Sequence, residues 1–159
     1  MKKIIKSRDE IKEIVKSLKM DGKKIVFTNG CFDIIHAGHV DYLAKARAKG
    51  DVLIIGLNSD ESVSRIKGKL RPIINQTERA FVLSNLRSVD YLTLFNEDTP
   101  IDLISQIIPD ILVKGADWSI ENIVGSDVVL KNGGSVEPID FVVEQSTSKI
   151  VAKIKESYK

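Results

Sequence analysis

Residues 28–39 read TNGCFDIIHAGH, and this stretch decides the fold that the sequence predicts. It follows residues 25–27, an apolar IVF segment that is typical of a buried strand, and it leads into helical spacing of the apolar positions in residues 40–47. A strand end, a glycine turn and a helix start therefore fall within twelve residues. In a parallel α/β sheet such a junction binds phosphate groups, because free backbone N–H groups and the positive end of the helix dipole point there.

Two histidines stand at the end of this stretch, His36 and His39, with Gly38 between them. On the first turn of a helix this spacing puts both imidazoles on one face. Gly38 has no side chain, so a ligand can approach the backbone closely at that point. We therefore expect the two rings and the helix start to form one binding site.

The stretch resembles the TxGxFDxxHxGH motif of the nucleotidyltransferases, which transfer a nucleoside monophosphate from a nucleoside triphosphate to a phosphate. The motif is specific because it fixes a glycine, Phe-Asp and both histidines at set offsets and follows a predicted strand. The resemblance implies that His36 and His39 contact the nucleotide phosphates during transfer. It also implies a nucleotide-binding segment made of Thr28, Asn29, Gly30, Cys31, Phe32, Asp33 and Gly38.

Other roles for these side chains stay open at this point. Two histidines can bind zinc, but the chain has no third histidine and Cys31 is its only thiol, so ligands are too few and no metal site is predicted. The two histidines can also be structural only. Cys31 fits a small packing residue better than a nucleophile, because the motif already uses both histidines.

Length and composition indicate one globular domain. The chain has 159 residues, of which 43% are hydrophobic and 29% charged, and this is ordinary for a globular protein. A net charge of +2 gives no case for nucleic acid or an anionic membrane as partner. No apolar run is long enough for a membrane span, and one cysteine excludes an intrachain disulfide, so we expect a cytoplasmic protein. The expected organisation is an N-terminal helix in residues 1–21 and a single nucleotidyltransferase domain in residues 22–159.

Strand and helix patterns alternate along the chain, which predicts a Rossmann-like, doubly wound, parallel sheet. Five strands are predicted, at residues 24–28, 51–58, 89–95, 111–113 and 135–139. Ser7 and Glu10 form a capping box at the start of the N-terminal helix, which packs on the outside of the domain or on a partner.

Further candidate residues follow the predicted strands. Asp60 is either a helix N-cap or a ligand contact. Residues 67–72, KGKLRP, supply three cations that suit a triphosphate. In this prediction Lys69 is catalytic, Arg79 neutralises phosphates, and Lys67 and Arg71 bind the substrate.

Two more segments are expected at the same sheet edge. The loop after the fourth strand holds three candidates for the nucleotide, Lys114, Gly115 and Asp117, and also Trp118, which belongs either to the substrate pocket or to the core. The last helix starts with Ser146, Thr147 and Ser148, three hydroxyl residues that suit a cap or a phosphate. Convergence of the histidine loop and these two segments predicts one site.

Eight further segments follow the motif in the order and spacing of the adenylyltransferase part of ADP-heptose synthases. They are LNSDES, KGKLRPI, ERAFVL, VDYLTLF, EDTP, LVKGADW, VLKNGG and STSKI. The resemblance covers about residues 22–158. It implies transfer of AMP from ATP to heptose 1-phosphate, Mg²⁺ bound with ATP, and a fold compatible with a homodimer.

Three alternatives stay open. Glycerol-3-phosphate cytidylyltransferases are similar but carry Arg-Thr just before the serine/threonine motif, whereas residues 139–145 here contain no arginine and include Asp140 and Glu144. An adenylyltransferase of the FAD synthetase type is the second alternative. A nucleotide-binding module without turnover is the third, and the intact histidines, basic loop and hydroxyl cap speak against it.

Overall fold

The molecule is built around a five-stranded sheet, and its structure, a computed structural model, describes residues 5–115, 120–140 and 146–158. All strand pairs in these ranges are parallel, and the strand order is β3-β2-β1-β4-β5. The strands are β1 Ile25–Gly30, β2 Val52–Asn58, β3 Tyr91–Phe95, β4 Ile111–Gly115 and β5 Ser135–Ile139. The predicted α/β fold with a parallel sheet is confirmed.

Helices connect the strands, as the alternating patterns of the sequence predict. They are α1 Arg8–Met20, α2 Ala37–Arg47, α3 Asp60–Lys67, α4 Gln76–Ser84, α5 Ile101–Ile107, α6 Ser126–Lys131 and α7 Thr147–Ser157. A short 3₁₀ turn, Ile120–Asn122, precedes α6. Within the described ranges, no helix has the length and apolar character that crossing a bilayer requires.

Both faces of the sheet are covered, as a doubly wound fold requires. Alternate side chains of a strand point to opposite faces, so Val26 packs in a cluster with α2 and α4, and its neighbour Phe27 packs with α1, α5 and α6. Strand β2 is buried along its whole length. Its continuous apolar run is typical of a parallel strand that helices cover on both faces.

Helix α1 packs on the core of this same domain. Its predicted capping box is confirmed, since the Ser7 hydroxyl accepts from the Glu10 amide and the Glu10 carboxylate accepts from the Ser7 amide. Ile11 and Val15 are buried in the cluster that contains α5. Just before the helix, the backbone of residues 5–6 pairs with Leu92 at the edge strand β3.

The strand order places a crevice beside β1. From β1 the chain continues to β2 and β3 on one side, whereas β4 and β5 lie on the other. The sheet therefore extends in opposite directions from β1, and the carboxyl ends of β1 and β4 lie side by side at this switch point. Ligands of open α/β sheets bind at such a switch point.

Candidate active site

A cavity of about 760 Å³ lies at the carboxyl ends of the strands. Residues that follow β1, β2, β3 and β4 line it together with the start of α7. Its lining includes most of the residues that the sequence predicts for the site: Asn29, Gly30, Cys31, Phe32, Asp33, His36, His39, Lys67, Arg71, Lys114, Gly115, Ser146, Thr147 and Ser148. The structure thus brings the histidine loop, the end of β4 and the start of the last helix to one place.

The two histidines meet face to face. Their ring centroids are 3.9 Å apart and the ring planes are 28° from parallel. His36 is the N-cap of α2, with φ −139° and ψ 171°, and its carbonyl accepts from the His39 amide at 2.9 Å. His36 therefore has extended backbone one residue before the helix, and the two imidazoles lie on one face, as their spacing predicts.

Burial keeps both imidazoles neutral. It lowers the pKa of His36, and it lowers the pKa of His39 to about 4, with a smaller contribution from the neighbouring His36 ring. The Nδ1 atoms of both rings are buried without a hydrogen-bond partner among the residues that the structure describes. A neutral imidazole has one N–H donor and one acceptor, so each ring keeps hydrogen-bonding capacity for a ligand.

Phe32 sets the position of His39. Its backbone has a φ of +45°, in the left-handed region, and its ring meets the His39 ring edge-on at a centroid distance of 5.3 Å. A Cβ atom at Gly30 would lie 3.0 Å from the Phe32 ring, so a side chain at that position would press on it. Gly30 thus leaves room for the Phe32 ring, and that ring packs against His39.

Asp33 reaches away from the histidines. Its carboxylate accepts from the amides of Ile73 and Ile74 at 2.8 and 2.9 Å, and from Nε of Arg71 at 2.5 Å. Burial alone would raise the pKa of Asp33, but the two amides and the guanidinium outweigh burial and hold the pKa below its ordinary value. The carboxylate is therefore ionised, and it ties the end of the basic loop to the motif loop.

Two predicted site residues have partners within the fold and lie outside the cavity lining. Arg79 has no exposed side-chain surface and donates to the carbonyls of Cys31 and Ile74 and to the carboxylate of Asp60, so it holds loops together and does not face the cavity. Asp60 is not the N-cap of α3, because Ser59 precedes it and accepts from the Ser62 amide at 3.1 Å. Its carboxylate is occupied by Arg79, and it is absent from the cavity lining.

The remaining candidates lie around the cavity or outside the described residues. Thr28 is fully buried, and its hydroxyl is 2.7 Å from that of Tyr42. Gly38 is buried in the first turn of α2. Lys69 is exposed and is not part of the lining, so its catalytic role stays a prediction. Asp117 and Trp118 lie outside the described residues.

Several lining residues were not predicted. They are Tyr42, Asn58, Ile66, Asp98, Thr99, Pro100, Asn122, Ile123, Val124 and Lys149. Asn58 ends β2, and Asp98, Thr99 and Pro100 follow β3, so the rule that ligands gather at the carboxyl ends of strands could have found them. Asn122 ends the 3₁₀ turn, Ile123 and Val124 follow it, and these three residues carry no recognisable pattern.

The described part of the chain contains no group of three His, Cys, Asp or Glu side chains that could hold a metal ion. Two carboxylates line the cavity within those ranges, those of Asp33 and Asp98. The first is bound by Ile73, Ile74 and Arg71, and the second is 2.7 Å from Nε of Arg65. These residues do not form a dedicated Mg²⁺ site.

Comparison with known proteins agrees with this geometry. The model of the family described as cytidylyltransferase-like matches residues 27–153, which include the motif, β1 from Phe27 onward, the four other strands and the first part of α7. The chain belongs to the cytidylyltransferase-like family. The family resemblance predicted from residues 28–39 is thereby confirmed.

Curated relatives are about half identical to this chain. The bifunctional protein HldE of Citrifermentans bemidjiense is 54% identical over 154 residues, which are 97% of this chain and 32% of the relative. HldE of Wolinella succinogenes is 56% identical over 153 residues, 96% of this chain and 31% of the relative. The chain thus spans about a third of the length of these relatives.

Solved structures share the fold. A lipopolysaccharide core biosynthesis protein from Thermoplasma volcanium has a TM-score of 0.63 and 29% identity, covering 78% of this chain and all of that one. A pantoate-beta-alanine ligase from Francisella tularensis also has a TM-score of 0.63, at 16% identity, covering 91% of this chain and 69% of that one. The second likeness shows the fold alone.

Proposed function

We propose that this chain transfers AMP from ATP to a sugar 1-phosphate, heptose 1-phosphate, and produces ADP-heptose and pyrophosphate. One observation carries the proposal: two helix N-termini and the stacked pair His36–His39 line a single cavity at the switch point of the sheet. Backbone N–H groups at helix starts bind phosphate, so this arrangement suits a polyphosphate.

The reaction needs little from the protein besides position and charge. An oxygen of the sugar phosphate attacks the α-phosphorus of ATP in line, the bond to the bridging oxygen breaks, and pyrophosphate leaves with the electron pair. The nucleophile is already an anion, so no covalent intermediate with the enzyme is required. Catalysis then consists of alignment and stabilisation of the charge that moves onto the leaving group.

His36 and His39 stabilise that charge in the proposal. Each neutral ring offers one N–H to a phosphate oxygen, and burial makes such a hydrogen bond stronger than it would be in water. The start of α7, with Thr147 and Ser148, adds further donors from the cavity lining. Lys114 supplies a cation beside β1, since its Nζ donates to the Asn29 carbonyl at 3.2 Å.

The nucleotide and the acceptor take different halves of the cavity. Strand order puts β4 on one side of β1, and puts β2 and β3 on the other. We assign the nucleotide to the β1–β4 side, where the switch point lies. The acceptor sugar phosphate then binds near Asn58, Lys67, Arg71 and Thr99, on the β2–β3 side.

Mg²⁺ enters the proposal only as the counter-ion of ATP. When bound with ATP it would neutralise phosphate charge, and it would need few protein ligands because Mg²⁺ usually keeps several waters. The absence of a dedicated ligand set among the described lining residues is compatible with this arrangement.

The choice of sugar rests on similarity. The segments quoted above resemble ADP-heptose synthases, and the HldE relatives are similar to almost the whole chain. A relative of known structure is described as a lipopolysaccharide core biosynthesis protein, which supports a precursor of a surface glycan as product. We place the enzyme in the cytoplasm, where its ATP is made, and propose a homodimer from the family resemblance alone.

A pyrophosphate-release assay tests this function. ATP, CTP, GTP and UTP are each combined with D-β-D-heptose 1-phosphate, glycerol 3-phosphate, glucose 1-phosphate and flavin mononucleotide. We expect the highest kcat/KM for ATP with heptose 1-phosphate. A variant with both His36→Asn and His39→Asn should release no measurable pyrophosphate. Preference for CTP with glycerol 3-phosphate, or for ATP with the flavin, would assign the chain to another enzyme class, and no turnover at all would indicate a binding module.

A further inference from the structure

We propose that Asp33 is a positioning residue which, with Arg79, fixes Arg71 at the cavity so that Arg71 binds the phosphate of the acceptor sugar. This inference rests on the proposed function, since it assigns a residue to the acceptor of that reaction. It gives the aspartate of the motif a task that differs from nucleotide contact.

The first observation is the way Asp33 uses its carboxylate. One oxygen accepts from the amides of Ile73 and Ile74 at 2.8 and 2.9 Å, and the other accepts from Nε of Arg71 at 2.5 Å. The side chain of Asp33 has no exposed surface. A buried charge-assisted hydrogen bond with two amide partners is a rigid connection, because breaking it would leave an ionised carboxylate without donors.

Arg79 holds the same segment from the other side. Its Nε donates to the Ile74 carbonyl at 2.9 Å, and its Nη1 donates to the Cys31 carbonyl at 2.5 Å. The N–H and the C=O of Ile74 are thus both bound by buried charged side chains, from the motif loop and from α4. The backbone that carries Arg71 is therefore fixed relative to the histidine loop.

Arg71 is left with one free edge. Asp33 takes Nε, and the described residues contain no other partner for this guanidinium. The side chain lines the cavity and keeps 20% of its surface exposed. A planar guanidinium with its remaining N–H groups in a fixed plane binds a phosphate through two parallel hydrogen bonds.

The position of Arg71 favours the acceptor over ATP. Its segment follows β2 and α3 in the chain, and β2 lies on the opposite side of β1 from β4. Residues 68–70, just before it, are exposed, and Leu70 keeps 88% of its surface. The rigid part of this connection thus begins at Arg71, beside the half of the cavity that the nucleotide does not use.

The chain contains a matched control for this ion pair. Asp90 accepts from the Leu53 amide at 2.8 Å and from Nε of Arg47 at 2.6 Å, so one carboxylate again joins a backbone amide to an arginine. Neither residue lines the cavity. Asp90→Asn and Arg47→Lys therefore remove the same kind of contact without touching the site.

The test compares steady-state constants for Asp33→Asn, Arg71→Lys, the double variant and the two controls. We expect each site variant to raise KM for heptose 1-phosphate about tenfold while KM for ATP stays within about twofold, since one charged contact to one substrate is weakened. The double variant should be no worse than the worse single variant, because both act through one contact. The controls should leave both KM values unchanged.

Each other result overturns a defined part of the inference. Unchanged KM for heptose 1-phosphate in Arg71→Lys, or equal increases in both KM values, would remove Arg71 from the acceptor site. Independent, multiplying effects in the double variant would show that Asp33 does not act through Arg71. If Asp33→Asn does not fold, Arg71→Lys still decides the assignment of Arg71, and guanidinium chloride restoring activity to Arg71→Ala would support it. A parent enzyme without turnover on any acceptor would overturn the proposed function and this inference with it, whereas an active parent with unaffected variants would overturn the inference alone.

Discussion

The imidazole of His36 stacks on that of His39 although only His39 lies in helix α2. Burial keeps both rings neutral, so the close contact carries no charge repulsion. An anion bound beside the rings would favour their protonated forms and raise both pKa values. The protonation of the two histidines should therefore change when a phosphate binds beside them.

Removing either ring should reduce turnover and leave the fold intact. We expect His36→Ala and His39→Ala each to lower kcat by about two to three orders of magnitude, the usual cost of losing one donor to the transition state. Steady-state kinetics on protein with a native circular dichroism spectrum provides the measurement. Near-normal kcat in either folded variant would reject the role of that histidine.

Stability should depend on pH through the same two residues. Their folded pKa values lie below the ordinary 6.5, so the unfolded chain binds protons first, and the free energy of unfolding should fall as the pH drops from about 7 to 5. The carboxylates of Asp33, Glu97 and Glu137 have lowered pKa values and remain ionised throughout this window.

Urea unfolding at pH 7, 6 and 5 measures this dependence. The chain has only two histidines, so a variant with His36→Asn and His39→Asn should show an almost constant free energy of unfolding across the window. An equal decrease in parent and variant would assign the pH dependence to other groups.

The sequence predicts more of the fold than of the contacts within the candidate site. Strand positions and the histidine junction follow from apolar runs and glycines close together in the sequence. The partners of Asp33 and Arg79 could not be predicted, because Arg71 is 38 residues from Asp33, and Cys31 is 48 residues from Arg79. Local preference also left the cap of α3 undecided, since serine and aspartate are both good N-caps and stand side by side at positions 59 and 60.

Arg79 should be important for stability. Arg79→Ala would leave the buried carbonyls of Cys31 and Ile74 and the Asp60 carboxylate without their donor, and we expect a loss of about 3 to 5 kcal/mol. Arg65→Ala is the control, because its ion pair with Asp98 is exposed and should contribute less than about 1 kcal/mol. Chemical denaturation gives both values, and equal losses would contradict the structural role of Arg79.

The Thr147 hydroxyl should contribute to the use of ATP and contribute little to the free energy of unfolding. The Ser146 hydroxyl already caps α7 by accepting from the Lys149 amide at 3.2 Å, so the Thr147 hydroxyl, which lines the cavity, is not needed for the cap. Thr147→Val should unfold within about 1 kcal/mol of the parent and lose kcat/KM for ATP.

Ser146→Ala provides the comparison for α7. It removes the cap and should cost about 1 kcal/mol of stability. Early melting of Thr147→Val with full activity of the folded fraction would make Thr147 a structural residue.

Helix α7 completes the cavity with its first turn and yet buries none of its described residues. Its amides should therefore exchange with solvent through local opening, at a much lower free energy than the strands of the core. A nucleotide bound by residues 146–148 would stabilise the folded helix and not its locally unfolded form. Hydrogen exchange in α7 should accordingly slow down as ATP is added, while exchange in β1 and β2 stays the same. The exchange rate of α7 would then report how much of the protein has nucleotide bound, because this helix opens most easily when the site is empty.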